Sequence, residues 1–226
     1  MTMSMAPHLS GTPGDRGFHN RARGPFNAWF FTTFDRYINF LTRRHKAHAF
    51  GGIRPGHIVE LGPGVGANFA FIPPGSRLLA VEPNGAMHET LTSRADALGL
   101  NLELIESPAE ALPFADSSVD EVICSLVLCT VDDPRAAIAE VLRVLRPGGT
   151  FRFVEHVASH PASPRRWAQA AIARPWSWLF EGCRLCRDTG HLVEHAGFSR
   201  TEVNRHRFRQ SIFFPVNLAI SGRATK

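Results

Sequence analysis

The segment Val59-Glu60-Leu61-Gly62-Pro63-Gly64-Val65-Gly66-Ala67-Asn68 restricts this chain more than any other. An apolar run ends in three glycines spaced two apart. Gly62, Gly64 and Gly66 let the backbone turn sharply and lie close against a ligand. A helix starting beyond them offers free N–H groups and a partial positive charge. Loops of this kind sit at the carboxyl edge of a sheet, so strands and helices should alternate around it.

They do. Strand candidates are residues 57–61, 77–82, 101–106, 119–125 and 150–156. Helix candidates are 84–98 and 133–145, with a shorter one after Gly66. This alternation predicts a parallel sheet with helices on both faces. Right-handed crossovers place ligands where strand order reverses. Pro147-Gly148-Gly149 is the turn that stops one helix and launches the fifth strand. Residues 157–186 interrupt the rhythm. Pro161, Pro164 and Pro175 break them, while Trp167, Trp176, Trp178 and Phe180 give them bulk. An aromatic insertion overhanging the ligand end is expected. A helix at 188–196 and strands near 199–208 and 211–220 close the chain as an edge hairpin. The total is seven strands, mostly parallel.

Ahead of the sheet, residues 1–24 are rich in Gly, Pro, His and Arg without a period, which reads as a flexible tail. Phe26, Trp29, Phe30, Phe34, Tyr37, Ile38 and Leu41 then recur at steps of three and four, which predicts an amphipathic helix. Residues 25–50 are expected to form a helical lid on a domain spanning 51–226. Arg43, Arg44 and Lys46 suit the negative end of the helix dipole. Ordinary core packing and a membrane-surface helix are the other readings of that segment. Charge is uneven: residues 1–57 carry +6, 58–160 carry −8 and 161–226 carry +7. The basic flanks therefore meet an anionic substrate, a membrane surface or the acidic middle itself. No apolar run reaches ~18 residues, so no membrane span is expected. The start lacks an apolar leader core, and four cysteines are too few for a disulfide scaffold, so a cytoplasmic setting is expected.

The glycine loop also fits the dinucleotide pattern G-x-G-x-x-A, with Ala67 last. Glu82, at the end of the second strand, could hold ribose hydroxyls of either ligand class. Against NAD, Pro73-Pro74 cuts the first helix short, and acidic Glu60 stands just before the loop. Further matching pieces follow: Ala109-Glu110-Ala111-Leu112-Pro113-Phe114, Asp116-Ser117-Ser118-Val119-Asp120 and Arg143-Val144-Leu145-Arg146-Pro147-Gly148-Gly149. With these, residues 55–160 resemble class I S-adenosylmethionine (SAM)-dependent methyltransferases of the type-11 group. The similarity continues through Ser125-Leu126-Val127-Leu128-Cys129-Thr130-Val131, Glu155-His156-Val157 and Glu181-Gly182-Cys183-Arg184-Leu185-Cys186-Arg187-Asp188-Thr189. That set resembles the branch holding membrane-associated thiol S-methyltransferases. Relatives often carry His or Asn where this chain has Arg184.

The resemblance implies roles. Glu60, Gly62, Pro63, Gly64 and Gly66 would shape the methionine end of SAM, with Asn68 assisting. Glu82, followed by Pro83, would accept both ribose hydroxyls. Ala109 would offer its backbone to adenine, with Glu110 adjacent. Pro108 replaces an acidic residue common in relatives, so that adenine contact is absent or comes from elsewhere. Ser125 and Leu126 would lie beside the methionine chain, or simply pack. His156, ending the fifth strand, is the candidate catalytic base, or a structural His beneath the lid.

Candidate acceptor contacts are Tyr37, Cys129, Trp178, Cys183 and Arg187. Aromatic segments 26–41 and 167–180 could close over a small lipophilic thiol or phenol. Arg187 would hold an anionic group on it, or pair with Asp188 or Glu181. Cys183 and Cys186 form C-x-x-C, but a second such pair is missing. No metal is expected, and the cysteines read as small apolar pocket residues. The expected activity is methyl transfer from SAM to a small molecule, a thiol first. Its rivals are an O- or N-acceptor on a secondary metabolite, an NAD-binding oxidoreductase and a silent SAM-binding module. Nucleic acid is not expected, because no basic–aromatic motif appears. Peripheral membrane contact through residues 26–46 stays open.

Overall fold

A computed structural model describes residues 23–208, 210–212 and 216–226. Most of the expected tail, residues 1–22, lies outside the described residues. Arg23 and Gly24 do not belong to that tail. They start α1 (Arg23–Phe50), a single 28-residue helix longer than the aromatic period alone predicted.

Seven strands form one sheet: β1 (His57–Leu61), β2 (Arg77–Val81), β3 (Asn101–Ile105), β4 (Val119–Ser125), β5 (Leu145–His156), β6 (Arg200–Arg207) and β7 (Leu218–Thr225). Their order is β3-β2-β1-β4-β5-β7-β6. Strands β1 to β5 pair in parallel, and β7 runs antiparallel to both its neighbours. Helices α2 (His88–Ala97), α3 (Pro134–Val144), α4 (Pro164–Leu179) and α5 (Thr189–Glu194) complete the chain.

Alternate strand residues serve opposite faces. Val59, Leu61, Val122, Cys124, Phe151 and Phe153 pack with Ala137, Ile138, Val141 and Val144 of α3 and Val193 of α5. Ile58, Leu78, Ala80, Ile123 and Val154 pack with Ala49 and Phe50 of α1 and Leu91 and Ala95 of α2. Because both faces are covered, the central strands read as continuous apolar runs.

Three expectations change. Pro164 and Pro175 do not break the 157–186 segment, while Pro161 lies in the turn before its helix. Ser163 caps the N–H of Arg166, Pro164 occupies the first turn, and α4 continues through Pro175. Next, pairing of β5 begins earlier than residue 150. Leu145 pairs with Val119 and Thr150 with Glu121, so Pro147-Gly148-Gly149 loops out between two paired stretches. Finally, the last strand covers 218–225 rather than 211–220. Gly222 hid it, because a glycine reads as a strand breaker. Here the glycine is required: a Cβ there would stand 2.0 Å from the Glu202 carbonyl oxygen and 2.7 Å from the Phe153 ring.

Helix α1 is fastened at its carboxyl end. Arg152, from the middle of β5, donates to the carbonyls of Ala49, Gly51 and Gly52 and to both carboxylate oxygens of Glu121. Arg223 of β7 also donates to the Ala49 carbonyl. The helix then runs back over the sheet. Strand order reverses between β1 and β4, so the loops leaving those two strands bound a crevice that α1 covers.

Candidate active site

The crevice opens at Gly62, whose φ of 53° and whose approach to Val127 exclude any side chain; a Cβ there would meet Val127 Cγ2 at 2.7 Å. Across from it, Leu126 holds a φ of 62°, a costly conformation for a branched residue, fixed by its N–H to the Val154 carbonyl. Two side chains clamp the loop that follows. Glu155, fully buried, accepts the N–H groups of Val127 and Leu128. Arg187 donates to the carbonyls of Leu128 and Val131.

Two carboxylates stand at the ends of β1 and β2. Glu82 accepts from Gly64 N–H at 2.9 Å and from Asn84 N–H at 2.9 Å. Burial raises its pKa, and those two donors oppose the shift. Glu60 is fully buried and accepts from Asn68 Nδ2 at 2.8 Å. Burial raises its pKa to about 7, against the Asn68 hydrogen bond and the Lys46 charge. Among the described residues, Glu60 Oε2 and Asn68 Oδ1 are buried acceptors without a partner.

The crevice continues as a cavity of about 240 Å³. Helix α1 forms one wall with Phe30, Phe31, Asp35, Ile38, Leu41 and Lys46. Lys46 is 2% exposed, donates to Asn39 Oδ1 at 3.0 Å, and has its pKa lowered by burial to about 8. Trp176 and Phe180 close the far end, and Phe208 joins the lining beside His45. Phe30 meets Phe180 edge-on at 5.1 Å, and Asn27 donates to the Leu179 carbonyl at 3.0 Å. The helix is thereby tied to the end of α4.

At that far end, three distant segments bring two sulfurs and an imidazole together. Cys183 Sγ lies 3.0 Å from His156 Nε2, 3.8 Å from Cys129 Sγ and 3.3 Å from Trp176 Nε1. All three Cys and His residues are buried, yet all line the cavity. Cys183 is surrounded by donors. The Cys129 hydrogen bond, the His156 imidazole and the Trp176 N–H outweigh burial and hold its pKa well below the usual thiol range. The hydrogen bond to Cys183 and burial push Cys129 the other way. Burial works against charge on His156, but Cys183 and Glu155 outweigh it and raise its pKa. Both shifts favour a thiolate beside an imidazolium.

Comparison with known proteins gives this crevice a context. A methyltransferase-domain family model matches residues 59–153. Human thiol S-methyltransferase TMT1B is 40% identical over 172 residues, covering 75% of this chain and 70% of that protein. The chain belongs to the class I SAM-dependent methyltransferases, in the thiol S-methyltransferase branch. Human thiol S-methyltransferase TMT1A is 39% identical over 149 residues, covering 65% of this chain and 61% of its own length. In fold, a SAM-dependent methyltransferase from Thermotoga maritima, a possible histamine N-methyltransferase, superposes with a TM-score of 0.60 at 22% identity. That match covers 87% of this chain and 99% of the other.

SAM is the cofactor of this methyltransferase, and the crevice fits it. The unpartnered Glu60 and Asn68 oxygens suit an ammonium group, and Glu82 offers a carboxylate at the carboxyl end of β2. Of the residues expected from sequence, Gly62, Pro63, Gly64, Asn68, Glu82, Pro83, Ala109, Glu110, Ser125 and Leu126 line the cavity. So do Cys129, His156 and Cys183. Glu60 and Gly66 are not part of that lining, but Glu60 holds Asn68, which is.

Tyr37, Trp178 and Arg187 are not brought into the cavity. The Tyr37 hydroxyl instead donates to the Gln210 carbonyl and accepts from Ile212 N–H, pinning the 210–212 loop to α1. Trp178 is 66% exposed on the outer face of α4. Arg187 Nη1 donates to the carbonyls of Leu128 and Val131. Sequence reasoning missed Lys46, read as a dipole cation; Trp176 belongs to the aromatic segment expected over the acceptor and does line the cavity. It also missed Glu181, whose carboxylate accepts from Asn84 Nδ2 at 2.8 Å.

Proposed function

We propose that this methyltransferase methylates the sulfur of a small lipophilic thiol. The observation that carries the reading is the sulfur and imidazole cluster that lines the cavity beside Trp176 and Phe180. The 40% identity to a thiol S-methyltransferase supports the same acceptor. Bound SAM supplies a methyl on a sulfonium, whose C–S bond breaks as the acceptor lone pair forms a new one. The chain must align the acceptor, exclude water and favour the thiolate. Phe30, Phe31, Trp176, Phe180 and Phe208 supply a dry wall that orients an apolar acceptor. Proximity of this kind contributes ~7–11 kcal/mol when the geometry is right. In the chain by itself, we place the acceptor's proton on the Cys183 sulfur, which His156 Nε2 holds at 3.0 Å.

Transfer from labelled SAM to matched small thiols, phenols and amines tests the acceptor. Preferential labelling of thiols is expected, with loss in Glu82→Ala. Labelling confined to phenols or amines would remove the thiol assignment.

Among the described residues, no helix is long and apolar enough to cross a membrane. We propose peripheral contact through the outer face of α1. Trp29 is 59% exposed, and Phe40 is 45% exposed with the Arg43 guanidinium 5.1 Å above its ring. Flotation with anionic vesicles should recover the protein and should fail for Trp29→Ala/Phe40→Ala.

A further inference from the structure

The sulfur and imidazole cluster has the makings of more than a proton relay. We propose that Cys129, His156 and Cys183 form a three-ligand site for one thiophilic divalent ion such as Zn²⁺, with its fourth position facing the cavity. The role given to that fourth position rests on the thiol reading above; the ion site itself does not.

Geometry carries the inference. The three donor atoms lie within 4.8 Å of one another. Zinc–sulfur bonds of about 2.3 Å in a tetrahedron place two sulfurs about 3.8 Å apart, and Cys129 Sγ and Cys183 Sγ are 3.8 Å apart. The corresponding nitrogen–sulfur edge is about 3.5 Å, so the His156 ring, with Nε2 now 3.0 Å from Cys183 and within 4.8 Å of Cys129, must open from the first sulfur by roughly half an ångström and close on the second. Two cysteines, one histidine and an open position make the donor set of a catalytic rather than a structural zinc. The donors come from the loop after β4, the end of β5 and the turn after α4, so sequence spacing conceals them. Cys186, the expected C-x-x-C partner of Cys183, takes no part.

The surroundings suit a dication. Two thiolates balance its charge in a buried place. Trp176 Nε1–H, 3.3 Å from Cys183 Sγ, is an outer hydrogen bond of the type that orients metal ligands. Binding the ion releases the Cys129 proton and the proton shared by Cys183 and His156 to solvent. Cys183 and His156 are then ligands, and the ion takes over their task. A thiol entering the fourth position loses its proton to solvent and stays as thiolate. Its lone pair then forms the bond to the methyl carbon. The product thioether is a neutral, weaker ligand and leaves.

Cobalt(II) is the probe, because thiolate ligation gives a near-ultraviolet charge-transfer band and tetrahedral sites give visible d–d bands. Titration of the reduced, chelator-treated protein should saturate at one equivalent, and Zn²⁺ should bleach the signal. Cys129→Ala and Cys183→Ala should abolish it, Cys186→Ala should leave it intact, and Trp176→Phe should weaken binding about 10–100-fold. S-adenosylhomocysteine binding, measured by calorimetry, shows that each variant is folded. A small thiol should shift the d–d bands. Absence of the bands in protein that binds S-adenosylhomocysteine, or bands that survive Cys183→Ala, would overturn the site. Undiminished thiol methylation after chelation would overturn its part in the reaction. Cobalt bands without methylation of any thiol would keep the ion site and remove the thiol reading instead.

Discussion

Glu60 shows how one buried carboxyl couples cofactor binding to pH. Its pKa of about 7 means that it is largely protonated in mildly acidic solution, because burial leaves it no water. An ammonium group beside Oε2 favours the carboxylate, so binding must expel that proton. Affinity for S-adenosylhomocysteine should therefore rise with pH, approaching tenfold per unit below about pH 6 and levelling off above about 7. Calorimetry across that range checks this, and Glu60→Gln should flatten the profile. The sequence made Glu60 visible, since an acid before a glycine loop is a local pattern. It could not reveal Lys46, whose charge helps to hold that pKa down. Lysine at the end of an amphipathic helix reads as solvated, and only the path of α1 across the crevice buries it.

At the scale of elements, two contacts of α1 make opposite demands. Arg152 and Glu121 form a buried ion pair, with side chains 6% and 1% exposed, that also satisfies the end of α1. Arg152→Met should cost about 3–5 kcal/mol, because Glu121 is left buried and unpaired. Urea midpoints check the loss, and adding Glu121→Leu should recover part of it. His45 of α1 stacks on His206 of β6, ring centroids 3.5 Å apart. Burial first, then the neighbouring His45 and His48, lowers the His206 pKa to about 4. The unfolded chain takes up this proton near its ordinary value of about 6.5. Stability should thus be full above about 6.5 and fall as pH drops toward 4, and His206→Phe should remove much of that slope. The parallel half of the sheet was legible because apolar runs and glycine turns are local signals. The last strand was not, because its pattern depends on Gly222 meeting Phe153 and Glu202 across strands. Nor was the cysteine and histidine cluster, whose members lie 27 and 54 residues from Cys183.

In the whole molecule, one helix walls both ends of one cavity. Lys46 borders the cofactor end, and Phe30 borders the aromatic end. The Arg152 and Arg223 bonds fix the carboxyl end of α1, while its amino end is held by Asn27 to Leu179 and by Asn84 to the Gly24 carbonyl. If both occupants pass one opening beneath α1, they must queue. The deeper guest must enter first and leave last. Steady-state turnover should accordingly be sequential, with S-adenosylhomocysteine competitive against SAM and the methylated product noncompetitive. Random release would show that α1 opens at its two ends separately. A queue also sets the pace: departure of the spent donor, rather than the bond exchange, would govern how often this site can work.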